Sequence, residues 1–439
     1  MNRKVLVVSN NSFSKTTNNG KTLESIFYSF EKHNISQVYF TDRISPDFDY
    51  CDNYFKISDS EVLKGIFKGT GIVGRIMGKQ LFTAGINPSN EIIDDLANFS
   101  TKKSFLRFCR DILWATNTWK NAALNNWSLQ QKPDFIFFVT GASDFSHKVA
   151  LYLSELLKVP LVSYFTDDYL IYPLKRNLFD FIQRYRMKKF YQATVERSSL
   201  CFAISDLMSE EYTSYFRKTF YPIMNAVDNK KYLKKESGQN EIVINYFGSI
   251  HTNRWKMIVR LANILKLPER KNLILNVYVT TKPGNNILRF FSDTGVNYKG
   301  GVTGDELNRT LMQSDILLHV ESDDIYSKSL TRLSVSTKLP EYLISGRPVL
   351  GFGPRDVASM KLLIQNNIGV VISPSDDPYT IDNQLEKLLN DSSFRDNLGK
   401  IGYEYASVHY DKIRITQEFD TKINQILPEK PLGITNTGR

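Results

Sequence analysis

Cysteine and histidine are scarce in this chain of 439 residues. The three cysteines, Cys51, Cys109 and Cys201, lie far apart with no CxxC pair. That argues against a disulfide framework or a zinc site and fits a reducing compartment. The five histidines are spread out, so no cluster of metal ligands is visible, and neither a metal nor another cofactor is expected. Long apolar runs are missing too: nothing approaches the ~20 residues of a membrane span. The early run Val5–Val8 is too short for the apolar stretch of a signal peptide and reads as a first β-strand. There is no short internal repeat and no low-complexity tract. A cytoplasmic protein is expected, at most peripheral at the cytoplasmic membrane face.

Aromatic residues are plentiful, at 13% with 23 Tyr and 28 Phe, and 42% of residues are hydrophobic. Large buried cores follow, and the length calls for two domains rather than one. The net charge of +10 favours an anionic partner: a nucleic acid, an anionic membrane or a phosphorylated substrate. The basic residues form no recognised nucleic-acid motif, so nucleic acid is not the expected partner.

Short apolar runs alternate with helix-period segments. Val5–Val8, Val38–Phe40, Phe135–Val139, Leu161–Phe165 and Leu200–Ile204 read as strands, with helices over Thr22–Phe30 and His147–Leu157. Further on, strands are predicted at Ile242–Phe247, Leu273–Val279, Ile316–Val320, Pro348–Phe352 and Gly369–Ile372. Between them lie helical patterns from Arg254–Leu265 to Ile381–Asn390. Runs without strict alternation suit parallel strands covered on both faces, so the class is α/β with two Rossmann-like doubly wound domains facing a cleft. The expected division is residues 1–224 for a first domain, 225–240 for a polar linker and 241–410 for a second domain. A helix over 411–427 would pack back on the first domain, before a tail at 428–439.

One stretch concentrates the chemistry: STKLPEYLISGRPVL, Ser336 to Leu350. Ser336 or Thr337 can cap a helix, Pro340 sits in its first turn, and Gly346 is placed to end it. Its amino terminus would face out of the carboxyl end of the preceding strand, with free backbone N–H groups for an anion. Lys338 adds a positive charge there. Glu341, one turn on, can accept from the two hydroxyls of a ribose. The alternative is that Lys338 and Glu341 pair with each other on a solvated face.

This stretch resembles the donor-site helix of the retaining GT-B glycosyltransferases of family 4, which build bacterial polysaccharides. Other segments resemble that family in the same order: FAISDLMSEEY (Phe202–Tyr212), IMNAVD (Ile223–Asp228), NYFGSIHTNRWKMIVRLANIL (Asn245–Leu265) and ELNRTLMQSDILLHV (Glu306–Val320). They cover the second half of the chain, while the first half fits by its strand–helix rhythm alone. The resemblance implies transfer of a sugar from a nucleoside diphosphate sugar, UDP or GDP, to a glycan or lipid-linked acceptor, without a metal. It implies nucleotide contacts from Gly248, Ser249, Arg254, Lys256, Ser336, Thr337, Lys338 and Glu341, with Arg254 and Lys338 gripping the diphosphate. The family often carries a second glutamate eight positions before Glu341; Leu333 stands there. Ser334, Ser336 or the loop backbone would then hold the sugar.

In the first domain, the loop after the first strand leads to Gly20 and Lys21, which the resemblance places near the donor phosphates and acceptor, with Asn18 as a neighbour. Asp167 and Asp168 follow a predicted strand and are candidate general bases or acceptor contacts. Gly141, Ser143 and His147 could line the same cleft. GTGIVG (Gly69–Gly74) fits the dinucleotide fingerprint but follows a helical pattern rather than a strand. Two basic, apolar stretches, Glu61–Phe82 and Lys175–Gln192, suit contact with the inner membrane leaflet or a lipid-linked acceptor. Two other readings stay open: a nucleotide-sugar epimerase of the same fold, and a silent nucleotide-sugar-binding partner of another transferase.

Overall fold

The computed structural model describes residues 3–13, 18–41, 46–79, 100–171, 178–229, 232–233, 241–266 and 272–428. Two sheets organise the chain. The first has eight strands in the order β4-β3-β2-β1-β5-β6-β7-β8. These are β1 Val5–Ser9, β2 Ile35–Tyr39, β3 Asn53–Lys56, β4 Arg75–Met77, β5 Phe135–Val139, β6 Leu161–Phe165, β7 Ser198–Ala203 and β8 Phe220–Pro222. The second has six strands in the order β11-β10-β9-β12-β13-β14. These are β9 Ile242–Phe247, β10 Leu273–Tyr278, β11 Val296–Gly300, β12 Ile316–Val320, β13 Val349–Phe352 and β14 Val370–Ile372. Every described pairing is parallel except that of β3 with β4.

The central strands β1, β5, β6 and β12 are buried at every residue. Apolar runs such as FIFFV dictate this, because a strand with helices on both faces has no solvent side on which to alternate. Strand order reverses beside β1, which pairs with β2 and β5, and beside β9, which pairs with β10 and β12. Crevices at such switch points, outside the carboxyl ends of the strands, are where ligands bind in open α/β sheets. At the first one Gly141 is required by close approach: a Cβ there would lie 2.2 Å from the Asn10 amide nitrogen.

The two halves meet through the residues just before the Lys338–Ile344 helix. Ser205 Oγ donates to the Leu333 carbonyl at 2.5 Å, and Asn225 Nδ2 to the Thr337 carbonyl at 3.3 Å. Arg332 makes a paired contact with Glu211, one bond at 2.7 Å. The last described helix, Lys412–Ile426, packs on the first sheet. Its Phe419 ring lies 5.6 Å from Phe27, 5.7 Å from Phe137 and 5.6 Å from Phe202. In the stretch read as a linker, Asn225, Ala226 and Val227 are buried, and Val227 forms a β-bridge with Asp411.

Several expectations are corrected. The edge strands β4, β8 and β11, and β3 next to the edge, are additional to the predicted ones, and β2 starts three residues before Val38. Glu61–Phe82 does not form one amphipathic helix. The helix ends at Lys68, Gly69 breaks it with φ +93°, and Arg75–Met77 joins the sheet edge; residues 80–82 lie outside the described ones. As expected, the glycine fingerprint directly follows a helix rather than a strand.

Candidate functional site

The carboxyl ends of β9 and β12 open into a cavity of about 360 Å³. Gly248 and Ser249 follow β9, His319 and Val320 end β12, and Arg254 begins the Arg254–Leu265 helix. Ser336 and Lys338 also line it. A second cavity of about 610 Å³ adjoins it, sharing Gly304 and Leu307. Glu341 lies on this second wall, with Glu24, Ser25 and Asn225 of the first domain across from it.

The Lys338–Ile344 helix orients its side chains by what it buries. Leu339, Tyr342 and Leu343 point into the core. The Tyr342 hydroxyl accepts from the Phe247 N–H at 2.9 Å and donates to the Phe247 carbonyl at 2.8 Å. This pins the end of β9 immediately before Gly248. Lys338 and Glu341 fall on the cavity side, where they bond to each other at 2.8 Å with 18% and 19% of their side chains exposed. Thr337 makes no side-chain cap; Ser336 Oγ accepts the Lys338 N–H at 3.4 Å instead. The helix ends at Gly346, whose φ is +70° and where a Cβ would meet the Tyr232 ring at 2.7 Å.

Arg254 reaches the cavity wall already engaged. Its Nη2 donates to both carboxylate oxygens of Glu321, each at 3.0 Å. Glu321 is 2% exposed, and His319 Nε2 lies 3.5 Å from the same carboxylate. Burial works against the Arg254 charge, but Glu321 more than offsets it and holds the guanidinium above its ordinary value. Burial pushes the His319 imidazole down to about 4, with Glu321 opposing and Arg254 adding to the effect. At neutral pH the wall thus carries a charged guanidinium and a neutral imidazole. Neither His319 nor Glu321 was among the expected site residues. The signal available was an acid directly after an apolar strand, which needs a cation when buried.

Asp167 stands at the meeting of the two halves. Its carboxylate accepts from Ser334 Oγ and Tyr169 OH, each at 3.2 Å. Burial raises its pKa, while the hydrogen bonds of Tyr169, Ser334 and Thr166 and the charge of Arg254 pull it back. Ser334, a candidate for holding the sugar, is thereby directed at the first domain, also donating to the Thr166 carbonyl at 2.9 Å. Leu333 is fully buried beneath the same contact.

Other expected site residues are not brought to the cavity. Asp168 is fully buried, and its Oδ1 accepts from the N–H groups of Leu170 and Ile171 and from Tyr212 OH, so it fixes a loop. His147 is a core histidine. Its ring packs 4.9 Å from Phe138 and 4.7 Å from Tyr191, Nδ1 lies 2.8 Å from Thr194 Oγ1, and burial pushes its pKa down to about 3. Lys256 is exposed, with Nζ 5.6 Å from the Trp255 ring centre. Gly20 is buried in the first turn of the Asn18–Ile26 helix, at the helix start as expected, and the side chains of Asn18 and Lys21 lie outside the described residues. Among the described residues no group of three or more acids, histidines and cysteines could hold a metal ion.

No family model matches this sequence, and no curated protein matches it. Solved structures do resemble it in fold. HepE of Anabaena, in a complex with UDP-glucose, superposes with a TM-score of 0.60 at 12% identity over 96% of this chain and 100% of its own. TarM of S. aureus gives 0.56 at 11% identity over 97% and 99%. The α,α-trehalose 6-phosphate synthase of Burkholderia multivorans gives 0.57 at 10% identity over 97% of each chain. With two mainly parallel sheets and a cavity at the switch point of the second, the chain has the GT-B fold of glycosyltransferase structures.

Proposed function

We propose that this chain is a retaining glycosyltransferase of the family-4 type. It would move a sugar from a UDP- or GDP-sugar to a glycan or lipid-linked glycan on the cytoplasmic side of a membrane, without a metal. The observation that carries this reading is the convergence of Gly248, Ser249, Arg254, Ser336 and Lys338 on one cavity, with Glu341, which lines the adjoining cavity, bonded to Lys338. Two cations lining one cavity suit a diphosphate, and a carboxylate one helical turn from Lys338 suits a ribose. The UDP-glucose held by HepE supports the choice of donor.

In the reaction, the bond between the anomeric carbon and the diphosphate oxygen breaks, and a bond from that carbon to an acceptor oxygen forms. Arg254 and Lys338 stabilise the charge gathering on the leaving diphosphate. The acceptor proton passes to the departing phosphate oxygen, and Asp167, facing Arg254 from the first domain, orients the acceptor hydroxyl. With Leu333 buried and Ser334 turned to the first domain, Ser336 and neutral His319 are polar side chains of the cavity lining suited to reading the sugar. A thermal-shift panel of UDP-, GDP-, ADP- and CMP-sugars tests the reading. Stabilisation by a UDP- or GDP-sugar, unchanged by EDTA, is expected. No stabilisation by any of them would overturn the donor assignment, and a requirement for a divalent ion would overturn the metal-free mechanism.

A further inference from the structure

A third cavity, of about 680 Å³, is larger than the two described above and within the usual range of small-molecule sites. It lies toward the amino ends of the second sheet: Glu241 leads into β9, Asp315 into β12, and Arg347 and Pro348 into β13. Arg254 and Lys338 are not in its lining. Its floor is polar where a sheet face should be apolar. Asn245 and Asn276 stand in register on β9 and β10 and interrupt the runs IVINYF and LILNVY. Both are buried. Asparagine is depleted in strands and costly to bury without partners. Here the amides form a row. Asn276 Nδ2 donates to Asn245 Oδ1 at 3.0 Å, and Asn245 Nδ2 to Ser314 Oγ at 2.8 Å.

The row is left incomplete. Among the described residues nothing donates to Asn276 Oδ1 and nothing accepts from Arg347 Nε, although the two residues are only 7% and 5% exposed. Buried polar atoms normally find partners, so a leftover acceptor and a leftover donor beside one cavity point to a ligand. Thr310 and Gln313 add polar groups from the Gly304–Gln313 helix. Tyr278, two residues beyond Asn276 on the same sheet face, adds a ring held by stacking on Phe247 at 4.7 Å. The charged groups belong to the frame. Arg347 Nη2 donates to the Leu233 carbonyl at 3.1 Å, and Arg395 Nη1 to the Leu388 and Leu389 carbonyls at 3.0 and 2.7 Å. Asp315 accepts the Val243 N–H at 2.9 Å. With Glu241 and Asp396, three acids face two arginines, so the lining offers no excess positive charge to a phosphate. Amides and hydroxyls suit groups that both donate and accept, which is the chemistry of a sugar hydroxyl. We propose that this cavity is a second carbohydrate site, which holds a neutral di- or oligosaccharide apart from the reacting sugar. Its filling requires no nucleotide.

Ligand-observed NMR titrations of maltose, cellobiose and lactose against the full chain test it, with inorganic phosphate as the charged rival. Binding of at least one disaccharide, with no competition from phosphate, is expected. Thr310→Trp, on a half-buried helix position, should fill the cavity and weaken binding by about ten-fold or more, with the melting temperature of the wild type. Asn276→Ala should weaken it by about ten-fold through the lost amide. Binding of none of the three disaccharides, or equal binding by wild type and both variants, would overturn the proposal. Phosphate binding that Thr310→Trp removes would overturn the neutral ligand. UDP and GDP titrations of the same samples separate the two sites: a chain that binds a disaccharide here but no nucleotide counts against the transferase reading alone.

Discussion

Arg254 and Glu321 are two buried charges that each make the other tolerable. Removing one leaves the other desolvated and unpaired, so Glu321→Ala should destabilise the protein by about 3–5 kcal/mol in urea titrations at neutral pH. An unchanged midpoint would mean that the pair is not formed. A different residue pair sets a pH dependence. Asp111 is raised to about 7, first by burial and then by the neighbouring Asp144 carboxylate, which itself meets Arg186 at 2.5 Å. Between the unfolded value of about 3.9 and this raised one, the folded state binds more protons than the unfolded state. Asp111 therefore costs stability as pH rises through that window. Asp111→Asn should gain on the wild type between pH 5 and pH 8, by ~1–4 kcal/mol. A constant gap across that range would contradict the raised carboxyl.

At the scale of elements, the Lys338–Ile344 helix and its stop depend on Gly346. Gly346→Ala places a Cβ against the Tyr232 ring at positive φ and should cost about 1–3 kcal/mol, read as a lowered melting temperature. Full stability of that variant would mean that the helix ends some other way. This helix was legible because its signals are local: Pro340 in the first turn, Gly346 past the last, and apolar residues between. Strands β5 and β6 were legible residue for residue because a doubly covered strand is a mostly apolar run, broken in β6 only by Ser163. Short strands toward a sheet margin were not: Asn53–Lys56 (NYFK), next to edge strand β4, and the edge strand Val296–Gly300 (VNYKG) are half polar, and their identity comes from a neighbour's free backbone groups. The Ser392–His409 helix hid behind its glycines. Gly399 is there because a Cβ would lie 2.2 Å from the Gly346 carbonyl oxygen, a requirement of packing invisible in the local sequence.

At the scale of the whole molecule, the chain returns on itself. Phe419, late in the sequence, completes the aromatic core around Phe27, Phe137 and Phe202. Phe419→Ala should cost about 3–5 kcal/mol and lower the first unfolding transition in calorimetry; a wild-type trace would show the helix to be dispensable. The site shows the same division between local and distant. Lys338 and Glu341 could be read three residues apart, but Arg254 and Glu321 are 67 residues apart, and only the pairing of β9 with β12 brings them together. His147 and Asp168 misled because position after a strand does not tell whether a side chain turns to the crevice or the core. The central claim of the proposed reading is that two adjoining cavities, one lined by Arg254 and Lys338 and the other by Glu341, together bind a nucleoside diphosphate. Calorimetric titration of UDP and GDP into the wild type and Glu341→Ala tests it most directly. Binding of one nucleotide by the wild type, weakened at least about ten-fold in the variant by loss of charge-assisted hydrogen bonds, is the predicted result. Equal affinity for that nucleotide in the two proteins, or no binding of either nucleotide by the wild type, would contradict it.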